Sequence, residues 1–300
     1  DPLQQAQVAQ SHGASALLLM TSKWAKDMAI KTNDRPLSGA QTIPVYELTK
    51  KASDLLLKLA GYEAWQLRHQ PPALLLPLSA HVDVQIEIIT PTVDVCNVLG
   101  VLPGSDPQLA SEVLILGAHL DHVGSLPDST IYPGANNDAS GIAVLLEVAR
   151  LWHERCYRPR RTVLFAAWNA GEMAQLGSKY YVMHPAYPLD KTLAMIQLDM
   201  VGQGRGYYIA VSADKKQEAA ILAHLDNVAR QVESRLAFGN YEGGSDHDSF
   251  HTYGVPAAML SWERPEYMHL PEDSADAIDV NKLQATGRVA TLTLMTMADE

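Results

Sequence analysis

Two stretches, SEVLILGAHLD (111–121) and RTVLFAAWNA (161–170), are almost continuously apolar and do not alternate with polar positions. A strand reads this way when both faces of its sheet are covered, as in a parallel sheet flanked by helices. LAMIQLDMVG (193–202) makes a third such strand, and PAAMLSW (256–262) a further one. Between the first two lies a helical pattern over about 139–155, with further helical patterns over about 214–234 and 281–299. This alternation predicts an α/β domain, a mainly parallel twisted sheet sandwiched by helices. Ligands in that architecture bind beyond the carboxyl ends of the strands.

The first part of the chain reads differently. Residues 3–12 look helical, SALLLMT (15–21) and TIPVYELT (42–49) read as short strands, and KKASDLLLKLAG is an amphipathic helix ended by Gly61. RHQPPALLLPLSA (68–80) holds three prolines and reads as a connector. HVDVQIEIIT (81–90) alternates as a strand with one wet face, and VDVCNVLGVLPG is its expected hairpin partner. The expected organisation is a small unit over 1–75, a connector at 76–82 and a large domain over 83–300.

Composition removes several function classes. A net charge of −11 argues against nucleic acid as a partner and against a polybasic membrane anchor. No apolar run reaches the ~20 residues of a membrane span. Cys96 and Cys156 make neither a disulfide framework nor a zinc CxxC motif, and two buried thiols is the simplest expectation.

The strand ends carry the chemistry. One offers His119, Asp121 and His122, the next Glu172, the next Asp199, and a late segment His269. In a His-x-Asp pair the imidazole binds metal while the carboxylate fixes its second nitrogen, which puts Asp121 behind His119. His, Asp and Glu without Cys suit zinc, with cobalt or manganese as substitutes. Singly each signal is weak: an Asp in LDM can cap a turn, and PEDSAD reads more simply as a solvated loop.

VLILGAHLDHVG, PGANNDASGIAVLLEVAR, LDMVG, MHLPEDSAD and the segment around WNAGEMAQLGS resemble, in order and spacing, the motifs of the two-zinc aminopeptidases. That group of metallopeptidases (clan MH) includes bacterial secreted aminopeptidases and glutamate carboxypeptidase II. Residues 1–75 resemble the later part of a protease-associated domain. The resemblance implies a zinc-dependent exopeptidase acting on peptides or peptide-like substrates, in an extracytoplasmic or secreted setting. It also implies metal ligands at His119, Asn137, Glu172, Asp199 and His269, with residue 137 bridging the two metals.

Three positions depart from the pattern. The bridging Asp is Asn137, the general-base Glu is Gly171, and the Tyr before the final His is Met268, with Tyr267 one place earlier. The expectation is an impaired peptidase holding one zinc or none; the alternative is an inactive scaffold that binds peptides. Substitute groups, Asp138 as bridge or Asp246 as base, are the competing way to keep activity. Asp138 is expected to point away from the pocket.

Overall fold

The computed structural model describes residues 2–20, 43–48, 50–62, 83, 92–126, 129–213, 218–239, 244–263 and 265–300. The chain divides into two units, Asp1–Thr92 and Val93–Glu300. This division falls later than the expected start at 83; the proline-rich connector and nearly all of the strand expected at 81–90 lie outside the described residues. In the first unit, α1 (Pro2–Ser11) precedes β1 (Leu17–Met20), which pairs in parallel with β2 (Val45–Leu48) ahead of α2 (Lys50–Leu59).

The second unit is built on a seven-stranded sheet. Its elements are β3 (Val98–Leu102), β4 (Val113–His119), α3 (Ser140–Glu154), β5 (Thr162–Trp168), α4 (Leu176–Met183), β6 (Thr192–Leu198) and β7 (Ile209–Ser212). They continue with α5 (Ala219–Gln231), β8 (Leu236–Gly239), α6 (His247–Thr252), β9 (Ala257–Trp262) and α7 (Val280–Asp299). The strand order is β3-β5-β4-β6-β9-β7-β8. β4 pairs in parallel with both β5 and β6, β6 with β9, and β7 with β8; β3 on β5 and β7 on β9 are antiparallel.

The apolar runs are explained by what covers them. Successive side chains of a strand face opposite sides, and in β4 Leu114 and Leu116 pack with Val144, Val148 and Trp152 of α3 and with Val289 and Leu294 of α7. Val113 and Ile115 face the other layer, with Tyr181 of α4 and Phe250 of α6. All four of these β4 side chains are fully buried. Each contributes ~1.5–3 kcal/mol by burial, so no polar residue is tolerated along the strand until it emerges at His119.

Short elements escaped the sequence reading: β7, β8, α4 and α6 are four to eight residues long, too short to show a period. The cysteine expectation is corrected. Cys96 and Cys156 are both exposed, the first in the irregular stretch ahead of β3 and the second just past the end of α3.

Candidate metal site at the strand ends

Three neighbouring parallel strands deliver their last residues to one place. β4 ends at His119, β5 ends at Trp168 and is followed by a turn that carries Gly171 and Glu172, and β6 leads to Asp199. The turn Ala135–Ala139 ahead of α3 adds Asn137, and the loop after β9 adds His269. Ala170, Met200 and His269 sit at φ of 52°, 53° and 55°. That left-handed region is costly for residues with a Cβ and is held only where the surroundings enforce it.

The three polar residues of the turn have separate tasks. Asn136 Oδ1 accepts from Gly202 N (2.9 Å), tying the turn to the loop after β6. Asp138 Oδ2 accepts from His119 N (3.0 Å), while its Oδ1 accepts from Gly141 N (3.1 Å) and Met200 N (3.2 Å). Its carboxylate thus staples β4, the start of α3 and the end of β6 beneath the site. Asn137 alone sends its side chain into the pocket. Asp273 accepts from Asn136 N (2.7 Å) and Asn137 N (3.1 Å) and is 1% exposed. The solvated-loop reading of PEDSAD is therefore wrong at this residue: two backbone amides of the turn need its carboxylate.

The pocket groups form a chain of polar contacts. His119 Nε2 lies 2.9 Å from Asn137 Oδ1, Asn137 Nδ2 donates to Glu172 Oε1 (2.8 Å), and Glu172 Oε1 meets His269 Nε2 at 3.0 Å. Asp199 Oδ2 lies 3.8 Å from His119 Nε2 and accepts from Ser245 Oγ (2.6 Å), while its buried Oδ1 bonds to nothing. His119 faces an oxygen with each ring nitrogen, because Nδ1 lies 3.0 Å from the Asp121 carbonyl oxygen. Both nitrogens must then carry hydrogen. Burial alone would lower its pKa, but Asp138, Asp199, Asp246 and Glu172 outweigh that and hold it up to about 10. For Glu172, burial pulls upward, yet the imidazoles of His122, His269 and His119 keep its carboxyl well below the usual carboxylate range.

The role expected of Asp121 is altered. It stands behind His119, but it is the backbone carbonyl that meets Nδ1; the carboxylate is 3.8 Å away. Its two oxygens accept instead from Gly171 N (2.7 Å) and Glu172 N (3.1 Å), fixing the bend that presents Glu172. At Gly171 a Cβ would fall 2.8 Å from His119 Cβ and 3.0 Å from its Cγ, so the imidazole occupies the room a side chain would need.

A cavity of about 520 Å³ opens over these groups, lined among others by Asn137, Glu172, Asp199, Asp246, Met268 and His269. Met268 brings a thioether and no hydroxyl to its wall. Tyr267 instead lines a separate depression with Gln203 and Lys282. Asp246 is 1% exposed; Gln197 Nε2 donates to its Oδ2 (3.1 Å), and its Oδ1 is unpartnered. Burial pushes its carboxyl up to about 6. Sequence reasoning gave no role to His122, Gln197, Ser245 or Asp273. The second His of HLDH and the polar runs GGSDHDSF and PEDSAD were the visible signals.

Residues 97–294 match Peptidase family M28. The chain belongs to that family. It is 30% identical over 197 residues to the aminopeptidase YwaD of Bacillus subtilis, covering 60% of this chain and 40% of the relative. A crystal structure of a zinc aminopeptidase from Bacillus subtilis superposes with a TM-score of 0.58 at 28% identity, covering 68% of this chain and 50% of that one. An inactive zinc metalloprotease of Schizosaccharomyces pombe is 22% identical over 213 residues, covering 65% of this chain and 25% of its own length. The chain thus spans half or less of these relatives. As an M28 member it belongs to a family whose implied metal is zinc. Among the described residues no helix is long and apolar enough to cross a membrane.

Proposed function

We propose that this chain is a metallo-aminopeptidase-like protein whose capacity to hydrolyse N-terminal residues from peptides is strongly impaired. The observation that carries this is the amide of Asn137, which accepts from His119 on one side and donates to Glu172 on the other. Residue 137 stands where a shared ligand of two metals belongs, among His119, Asp199, Glu172 and His269. A carboxylate there would face the Glu172 carboxylate at hydrogen-bond distance and would need cations to hold it. The amide needs none, because it fits between a cationic imidazole and an anionic carboxylate as a neutral dipole.

An amide oxygen cannot screen two dications from one another. At the ~3.5–4 Å of a two-metal site their repulsion is roughly 17–19 kcal/mol at an effective dielectric near 20, so a bridged pair does not fit this donor set. The second loss is at Gly171. A carboxylate base taking the proton from the attacking water typically contributes ~10²–10⁴-fold, and His119 fills the space it would use. Asp246 lines the cavity with one unpartnered oxygen and the other held by Gln197; it has no part in proton transfer under this proposal. An extracytoplasmic location belongs to the same proposal and rests on the family alone.

The test is hydrolysis of aminoacyl-nitroanilides with added zinc or cobalt, beside an intact M28 aminopeptidase. The expected rate is at least ~10²-fold lower; turnover within a few-fold of the intact relative would overturn the proposal. A second reading, an inactive scaffold that binds peptides, is favoured by the preserved cavity. It predicts peptide binding with no detectable turnover.

A further inference from the structure

His122 is an imidazole with no hydrogen bond and only a 3.4 Å ion pair to the Glu172 carboxylate, in a place where a poorly satisfied polar group is costly. Its side chain is 10% exposed, and neither ring nitrogen, each shielded from solvent, makes a hydrogen bond. Burying a polar group without a partner is unfavourable, so a seat built for it calls for a ligand. The seat is built. The ring rests on Gly134, where a Cβ would fall 2.5 Å from His122 Cγ, and Gly134 holds φ of 67°.

His122 Nδ1 lies 3.4 Å from Glu172 Oε1, the same oxygen that lies 3.0 Å from His269 Nε2. The His122 and His269 rings meet edge to face with centroids 5.5 Å apart. Ligand atoms of the three residues lie within 4.8 Å of one another. Tetrahedral zinc at ~2.0–2.2 Å from each ligand sets ligand–ligand edges of ~3.3–3.5 Å, which the two measured separations approach before any metal draws them together. A second cluster, His119, Asp138 and Asp199, is equally compact. Of its donors only Asp199 Oδ1 is free, since both Asp138 oxygens accept backbone amides and His119 Nε2 is engaged by Asn137.

We infer that His122, Glu172 and His269 form a mononuclear site for zinc or a similar borderline divalent cation, with a fourth position left for water or a ligand from the cavity. His122 takes the place of the missing bridging acid as third donor. This inference rests on the reading that the chain lacks a bridged metal pair.

The experiment is zinc and cobalt binding to the chelator-stripped chain, read by elemental analysis, titration calorimetry and the visible absorption of bound cobalt. The expected result is one equivalent, with cobalt absorption typical of four-coordination. His122→Ala should weaken binding at least ~100-fold, more than loss of an outer-shell partner does, while His224→Ala, at a residue that pairs with Glu300 away from the pocket, should leave it within a few-fold. His122→Phe keeps a ring against Gly134 and should lose the metal too, so a folding defect in His122→Ala cannot decide the matter. No binding by the unmodified chain, or one equivalent indifferent to both His122 variants, would overturn this site and leave the impaired-peptidase reading standing. Two tight equivalents with fast hydrolysis would overturn both.

Discussion

Asn137→Asp should have opposite effects on stability with and without zinc. In the metal-free chain the new carboxylate would sit 2.9 Å from His119 Nε2 and 2.8 Å from Glu172 Oε1. At an effective dielectric near 20 these contacts are each worth ~6 kcal/mol, with opposite signs, so they nearly cancel while His119 keeps its second proton. What does not cancel is the lost donor. Asn137 Nδ2–H serves a charged acceptor, a bond worth ~1.5–3 kcal/mol. A loss of that size lowers Tm by roughly 4–10 °C in a domain of about 200 residues. With zinc the same carboxylate becomes a ligand, and one further site filled at a hundred times its Kd returns ~2.7 kcal/mol. Thermal unfolding followed by fluorescence, in chelator and in excess zinc, would read both effects, with elemental analysis counting the metals. If Asn137→Asp melts with the unmodified chain in chelator and binds no additional metal, the assignment of residue 137 to the centre of this site is wrong.

Gly171→Glu alone should not restore hydrolysis: its Cβ would crowd His119, costing ~1–3 kcal/mol of stability, which a urea titration would show. The double variant Asn137→Asp with Gly171→Glu should recover far more activity than the two single changes sum to, since groups acting as a unit are not additive; the four nitroanilide rates decide it. Asp246→Asn should stabilise the metal-free chain at neutral pH. The folded carboxyl is raised to about 6 from 3.8, so the folded state holds its proton longer and stability falls as pH rises between those values. The relief in the variant should be roughly 2–3 kcal/mol above pH 6 and vanish below pH 4, as paired denaturation curves would show. Asp138→Ala removes the acceptor of three backbone amides and should cost at least ~3 kcal/mol, whether or not zinc is present.

The parts of this fold legible in the sequence are those where one physical constraint dominates. β4, β5 and β6 are covered on both faces, so their apolar runs admit almost no polar residue, and the turn to polar at His119, Glu172 and Asp199 marks where cover ends. That Asn137 and not Asp138 enters the pocket follows the count back from Ser140, a local matter of turn length. Contacts set by distant segments were not legible. Asp273 looked solvated because nothing near it in the chain needs a carboxylate; its partners lie more than a hundred residues away. His122 gave no clue to its seat, since Gly134 and Glu172 reach it only through the fold. For Asp121 the spacing was informative but the atom was not: the bend after β4 turns its carbonyl to His119 and sends its carboxylate to Gly171 and Glu172.

The three amides gathered by Asp138, with the two gathered by Asp273, bear on how such a chain can change its trade. These carboxylates shape the turn from beneath using only backbone donors, and none of those bonds requires a cation. The floor of the pocket is therefore a frame, and the residues that would do chemistry are fittings mounted on it. Exchanging a fitting, as at positions 137, 171 and 268, leaves the frame's own bonds untouched. A chain built this way can give up catalysis by single substitutions and still keep a formed cavity, so binding and turnover are free to part company.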